Sequence, residues 1–373
     1  MLAICSDCGT ASEAAVGYCE CGGIRIIERP IGDAEAQAAL WPASPLIRSR
    51  IPGLGNVYLK YENGHLTGSF KDRIMRLAVA DAIRSGSAGA VVPSSGNAAL
   101  AASAAGASAG LPIYAIVPTG TAVERIAPVA ARGAAIIEAG SDPSEAYRAA
   151  DIVAAELKLS RLYSTFAAPL AEWACRSIGV EAARQLGSTP SAVVAPISAG
   201  PVLVGTGNGV AQETGNLPSL VAIQPSGCCP IARAFEAGSE TVEPWDGPVE
   251  TTATSIADRL QGYPQDGTYT LRLVRRSEGL AAAVTDEEMR SAREALLRHD
   301  GVDAELSASA GVAWLMRNPS RLQGPVVSVL TASGFKHTYR GDVPAAEPAT
   351  DRIETAERIC ALVSRHGIAA RRA

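Results

Sequence analysis

A lysine at a helix start is the residue of this chain best suited to chemistry. Lys71 lies in Tyr61-Glu62-Asn63-Gly64-His65-Leu66-Thr67-Gly68-Ser69-Phe70-Lys71-Asp72-Arg73, and Ile74, Leu77, Ala78 and Ala82 follow at helical spacing. The positive end of a helix and burial both disfavour an ammonium, so a lysine in the first turn can be neutral and nucleophilic. A surface lysine paired with Asp72 fits the same spacing. Ser94-Ser95-Gly96-Asn97 brings two hydroxyls to another helix start, which suits an anion or an ordinary cap equally. Ser198-Ala199-Gly200-Pro201-Val202-Leu203 can offer backbone amides to an anion, except at Pro201, which has no N–H. Thr331-Ala332-Ser333-Gly334-Phe335-Lys336 is a polar turn at the end of an apolar run, and Thr251-Thr252-Ala253-Thr254-Ser255-Ile256-Ala257-Asp258 is rich in hydroxyls.

Four of the eight cysteines crowd the first 21 residues as Cys5-x2-Cys8 and Cys19-Glu20-Cys21. Paired thiolates suit a tetrahedral metal, but the second pair has one intervening residue where two are usual. Cys175, Cys228, Cys229 and Cys360 are scattered, as expected of small buried apolar residues in a reducing compartment.

The elements that must position these segments alternate between apolar, β-branched runs and Ala-rich helical stretches, the pattern of parallel sheets covered by helices. Ala90-Val91-Val92-Pro93 reads as a strand running into Ser94, and residues 98–106 as a helix. Residues 112–118 and 134–137 read as strands, and 121–132 and 143–158 as helices, the last capped by Ser141 or Asp142. A helix over about 171–186 leads to a strand at 192–197. Next come a Gly-rich loop from Ser198 to Gly209, whose Gly205-Thr206-Gly207-Asn208-Gly209 reads as a turn or an extra anion contact, and a strand at 220–223. Thr285-Asp286-Glu287-Glu288 has the form of a capping box, and 325–330 is the last buried strand. A surface loop over 344–350 and a closing helix over 352–365 complete the reading.

A chain of 373 residues predicts two domains or one large and one small. A net charge of −5 without a basic run argues against a nucleic-acid partner. No basic start followed by an apolar stretch, and no window of eighteen apolar residues, predicts secretion or membrane insertion, so the cytoplasm is the expected location.

Lys60-Tyr61-Glu62 followed by Thr67-Gly68-Ser69-Phe70-Lys71-Asp72-Arg73 resembles the cofactor-lysine motif of fold-type II pyridoxal phosphate (PLP) enzymes, threonine synthases in particular. The other segments occur in that family's order. The resemblance implies an α/β fold of the tryptophan synthase β type: two domains, each a largely parallel sheet flanked by helices, behind a Cys-rich extension at 1–40. The larger, cofactor-binding domain would span 41–80 and 185–373, and the smaller mobile one 81–184. Lys71 would carry PLP as a Schiff base and remove the substrate Cα proton. Asn97 would meet the cofactor 3-hydroxyl, Ser198, Ala199, Gly200 and Val202 its phosphate, and Thr331, with Ser333 second, its pyridine nitrogen. Ser94, Ser95 and Gly96 would hold the substrate carboxylate, while Arg176 and Ser177 stand where the family keeps a basic-hydroxyl pair for the substrate phosphate. The extension resembles the family's zinc ribbon, with Cys5, Cys8, Cys19 and Cys21 as ligands of a zinc ion or as a ribbon that has lost it.

Two departures bear on the reaction. Ala199 and Val202 stand where asparagines are usual, and the family's Asn-Pro-Tyr-Arg stretch is replaced by Phe166-Ala167-Ala168-Pro169-Leu170, followed by Glu172-Trp173-Ala174-Cys175-Arg176-Ser177. Losing a cation that grips a dianionic leaving group weakens transition-state stabilisation unless another group replaces it. The resemblance therefore implies a carbon-oxygen lyase or synthase acting on an activated amino acid with loss of phosphate or a similar group. The alternative is β-replacement or β-elimination on a serine-derived substrate, of the cysteate synthase or serine/threonine dehydratase sort. A third reading is a non-catalytic PLP-binding regulator. The family also implies a homodimer.

Overall fold

A computed structural model describes residues 2–13, 15–28, 43–141, 143–335, 347–348, 357, 359 and 361. The chain divides into two compact units, Met1–Phe70 with Thr165–Phe335, and Lys71–Ser164 with Lys336–Ala373.

In the first unit, β1 (Leu2–Cys5), β2 (Ala11–Glu13) and β3 (Arg25–Ile27) form a small antiparallel sheet of order β2-β1-β3. The main sheet contains β4 (Leu46–Arg48), β5 (Val57–Tyr61), and two later strands, Ala192–Pro196 and Ser219–Pro225. It is completed by Leu280–Val284 and Val326–Leu330. Naming those four β10, β11, β12 and β13 in chain order, the sheet runs β12-β11-β10-β13-β5-β4, and every pair is parallel except β4 with β5. In the second unit, β6 (Ala90–Val92), β7 (Ile113–Val117), β8 (Ala135–Glu138), β9 (Ser160–Arg161) and β14 (Glu347–Pro348) pair in parallel in the order β14-β8-β7-β6-β9.

These strands read as unbroken apolar runs because helices cover both faces of a parallel sheet. All residues of β6, β7, β10 and β13 are buried. The core of the first unit joins Leu59, Val194, Val221, Val326 and Leu330 to Met289, Trp314 and Leu315. That of the second joins Val91, Tyr114, Ile116 and Ile137 to Ala146, Ala150 and Val153.

The helices that matter for the site are α1 (Lys71–Arg84), α2 (Asn97–Ala109), α3 (Val123–Ala130), α5 (Pro169–Leu186) and α6 (Pro201–Thr214), with α4 (Pro143–Leu157) between α3 and α5. Helix α7 (Pro230–Glu236) precedes α8 (Pro264–Arg276) and α9 (Asp286–Ala295). The capping box at Thr285 is present, with Thr285 Oγ1 accepting from Glu288 N (3.2 Å) and Thr285 N donating to Glu288 Oε2 (2.7 Å).

One expected loop is a helix. The Gly-rich stretch becomes α6 from Pro201 onward, with proline at the first helical position, where its missing N–H is no loss. Its glycines serve helix packing. A Cβ on Gly205 would overlap the Glu172 carbonyl, one on Gly209 the Arg176 carbonyl, and one on Gly179 of α5 the Thr206 carbonyl. The backbones of α5 and α6 therefore approach where only hydrogen separates them. The expected loop at 344–350 and helix at 352–365 lie largely outside the described residues, as does the cap residue Asp142.

Candidate active site

Three segments singled out in the sequence leave the carboxyl ends of adjacent parallel strands, where open α/β sheets bind ligands. Strand β10 delivers Ser198-Ala199-Gly200, β13 delivers Thr331 to Gly334, and β5 leads through Glu62 toward the lysine. The last two are strapped together. Phe70 N donates to Thr331 O (3.0 Å), Ser333 N to Gly68 O (2.8 Å), and Ser69 pairs with Ala332 in an isolated bridge. Thr331, Ser333 and Ser69 are buried, and the Ser69 hydroxyl has no hydrogen-bond partner. A buried hydroxyl left so is costly, and it stands two residues before Lys71.

Lys71 itself opens α1 as the first residue of the second unit, half-buried. That unit also carries Ser94-Ser95-Gly96 between β6 and α2. Gly96 caps α2 without a side-chain hydrogen bond, its own N–H turned to Ser94 Oγ (3.2 Å), and Asn97 is the first helical residue. A Cβ on Gly96 would lie 3.5 Å from Arg125 Nη2, so the guanidinium of an exposed arginine at the start of α3 stands over this loop. Nothing in the local sequence around Arg125 pointed to it.

In the first unit, α6 begins with a bare N-terminus. Gly200 is its cap at φ 119°, in the left-handed region, no side chain caps the helix, and Ala199 and Val202 are buried. A Cβ on Gly200 would collide with the Thr270 hydroxyl, so glycine is required here. The first-turn amides of a helix have no internal partners, and here they stand without a side-chain acceptor.

Arg176 and Ser177 are placed differently from this cradle's amides. Arg176 forms a bidentate pair with the buried Glu172, Nε to Oε1 at 2.9 Å and Nη2 to Oε2 at 2.9 Å. Asn208 of α6 donates to the same carboxylate (2.8 Å), and the guanidinium stacks over Trp173 at 4.5 Å. The Ser177 hydroxyl donates to Ala174 O (2.6 Å).

Two buried carboxylates stand close to these loops without a role assigned from sequence. Glu62 is fully buried between His65 Nε2 (2.8 Å) and Ser44 Oγ (2.5 Å), in the segment leading to Lys71. Glu305 accepts from the Ser255 hydroxyl, while its N–H donates to Ala332 O (2.9 Å) in the Thr331 loop. Ser255 belongs to the hydroxyl-rich segment singled out above.

The four N-terminal sulfur atoms lie within 4.8 Å of one another, with Cys5 Sγ to Cys21 Sγ at 3.4 Å and Cys8 Sγ to Cys19 Sγ at 3.7 Å. The single-residue spacing of Cys19 and Cys21 does not prevent convergence. A Cβ on Gly23 would lie 2.6 Å from Cys5 Sγ, so this glycine leaves the sulfurs room.

Parallel sheets flanked by helices, with a lysine at a helix start and ligand loops at strand ends, define a fold-type II α/β enzyme. The chain belongs to the pyridoxal-phosphate dependent enzyme family, whose model matches residues 38–332. It is 32% identical over 272 residues to a threonine synthase of Methanosarcina acetivorans, a match covering 71% of this chain and 66% of that protein, so it spans about two thirds of that relative's length. It is 27% identical to the threonine synthase of Mycobacterium leprae over 88% of this chain and 93% of that one. Among solved structures, a threonine deaminase of T.th. superposes with a TM-score of 0.67 at 23% identity, covering 83% of this chain and 97% of that chain. Maize serine racemase gives 0.71 at 18%, covering 90% and 97%. These two share the fold.

The residues present fit the family's cofactor. An uncapped helix start at Gly200, closed to any side chain there, suits a phosphate, and the unpartnered Ser69 hydroxyl offers a polar contact beside the lysine.

Proposed function

We propose that this enzyme is a lyase or synthase acting on an activated amino acid, threonine synthase-like, in which Lys71 holds the cofactor and its Nζ takes the substrate Cα proton. The observation that carries the reading is the position of the lysine: it opens α1 immediately after a segment strapped to the Thr331 loop at the ends of β5 and β13. Pyridoxal phosphate, when bound, supplies a conjugated ring that stores the electrons left by proton loss. The chain supplies the rest. The amides at Gly200 and Val202, with Ser198 and Ala199, hold the cofactor phosphate. Asn97 and Thr331 contact the ring's polar edges, and Ser94, Ser95 and Gly96 hold the substrate carboxylate.

The pairing of Arg176 with Glu172 favours a second reading, elimination or replacement on a serine- or threonine-derived substrate without a phosphate. A guanidinium already bidentate to a buried carboxylate has little left to offer a dianion. Incubation with phosphohomoserine, phosphoserine, serine and threonine, following phosphate, ketoacid and amino-acid products, tests both. Turnover of phosphohomoserine supports the first reading; ketoacid from serine or threonine alone replaces it with the second; and no turnover of any of the four, with cofactor bound, would sink both.

The same proposal includes zinc at Cys5, Cys8, Cys19 and Cys21. A tetrahedron with metal–sulfur distances of about 2.3 Å has edges of about 3.8 Å, close to the two sulfur separations given above. Also proposed are a homodimer, a cytoplasmic location, and 81–184 as the mobile part. Among the described residues no helix is long and apolar enough to cross a membrane.

A further inference from the structure

The N-terminal ribbon is packed on the elements that carry the phosphate loop, and the contacts run by two routes. Directly, Ile24 lies in a buried cluster with Val204, which is in the first turn of α6, and with Phe166 and Tyr269. Phe166 and Tyr269 meet edge to face at 5.2 Å. Indirectly, the ribbon grips α8. Tyr18 hydrogen-bonds the side chain of Asp266 in the first turn of that helix, Asp7 pairs with Arg272 (2.8 Å), and Tyr18 and Leu273 flank the same apolar cluster. Asp266 Oδ2 also accepts from Phe166 N (3.0 Å), and Gly17 N donates to Ala167 O (2.6 Å). Helix α8 then reaches the loop itself, because Thr270 Oγ1 donates to Ala199 O (2.6 Å) and the Thr270 side chain fills the space that a Cβ on Gly200 would need.

Spacing makes this one mechanical unit. Asp266, Tyr269, Thr270 and Leu273 line one face of α8 with Arg272 at its edge, so the face that meets the ribbon also carries the fully buried Thr270 to the loop. The loop has no side-chain cap of its own, and a left-handed glycine is its pivot. Its conformation is therefore fixed from outside, by Thr270 on the Ala199 carbonyl, by Gln224 Nε2 on the Ser198 carbonyl (3.2 Å) and by Val204 under Ile24.

We propose that the ribbon and α8 together brace the loop that holds the cofactor phosphate, with Thr270 as its positioning residue and Tyr18 and Ile24 as the ribbon's contacts. The proposal rests on the reading of Gly200 as the phosphate cradle. Thr270 touches no reacting atom; it orients the amides that do the holding.

The test uses the full-length holoenzyme and reads cofactor affinity and the phosphorus-31 resonance of the bound phosphate. Thr270→Val, which keeps the shape and removes the hydroxyl, should weaken PLP affinity about ten-fold and shift the resonance, and Thr270→Ser should restore both. Ile24→Ala and Tyr18→Phe should each weaken affinity about three-fold, and neither should add fully to Thr270→Val. Chain integrity is read separately from the circular dichroism of each cofactor-free variant, so a variant that fails to fold is set aside in favour of the serine and phenylalanine exchanges. Unchanged affinity and resonance in folded Thr270→Val overturn the role of Thr270, and unchanged values in both ribbon variants overturn the brace. A wild-type protein that binds no PLP would instead overturn the cofactor reading itself.

Discussion

Asp266 is a buried carboxyl whose ionisation opposes folding. Burial pushes it up to about 7, against the opposing effects of the Tyr18 hydrogen bond and the Phe166 amide, and the charge of Asp258 adds to the rise. Its Oδ1 atom has no hydrogen-bond partner, so the ionised form is poorly served. An unfolded aspartate titrates near 4, so between about pH 4 and pH 7 the folded chain holds a proton that the unfolded chain has released. Stability from this group is full below about pH 4, falls as pH rises through about 7, and is level beyond it, at roughly 1 kcal/mol per pH unit on the slope. Asp266→Asn removes the ionisation, so its urea midpoint should change less between pH 5 and pH 8 than that of the wild type; parallel profiles would refute the assignment. Such groups mark the limit of what a sequence discloses. The lysine motif and the three loop motifs are local strings, readable because their chemistry and spacing are contiguous. Asp266 meets Phe166 across 100 positions, and Ser255 meets Glu305 across 50. Nothing in either local string pairs them.

Helices α5 and α6 show the same limit one level up. The Gly205 to Gly209 cluster reads as a turn because glycine disfavours a helix interior by about 1 kcal/mol each. What offsets that preference is contact with a helix some thirty residues earlier, invisible to any local window. The strands read at 90–93, 112–118, 134–137, 192–197, 220–223 and 325–330 fall within two residues of the observed ones, since burial on both faces leaves an uninterrupted apolar run, whereas β5, interrupted by Lys60, and the half-buried β12 were not read. The glycines themselves are unequal. A methyl on Gly209 would strike the Arg176 backbone, which has nowhere to go, whereas one on Gly207 would strike only the movable end of Leu220. Gly209→Ala should therefore cost about 3 kcal/mol or more in denaturant unfolding, and Gly207→Ala about 1 kcal/mol or less. Equal losses would show that the two helices can separate without penalty.

For the whole molecule, the cofactor is a folding ligand as well as a reagent. The family's cofactor binds the folded chain and not the unfolded one, so PLP binding adds to stability. At a free concentration 100 times the dissociation constant the gain is about 2.7 kcal/mol. Unfolding entropy of about 2 cal/mol/K per residue gives a chain of this length roughly 0.8 kcal/mol/K, so the gain corresponds to a rise in midpoint of about 3 °C. Adding PLP to the cofactor-free protein should produce a shift of that size, growing with the logarithm of concentration. On the proposed roles of Lys71 and Gly200, Lys71→Ala should still show the shift but require far more PLP, and the visible absorbance of bound cofactor should be altered. No shift in the wild type at saturating PLP would detach the cofactor from the folded chain. An equal concentration dependence in Lys71→Ala would remove the lysine from its holding role and leave the Gly200 cradle to account for binding.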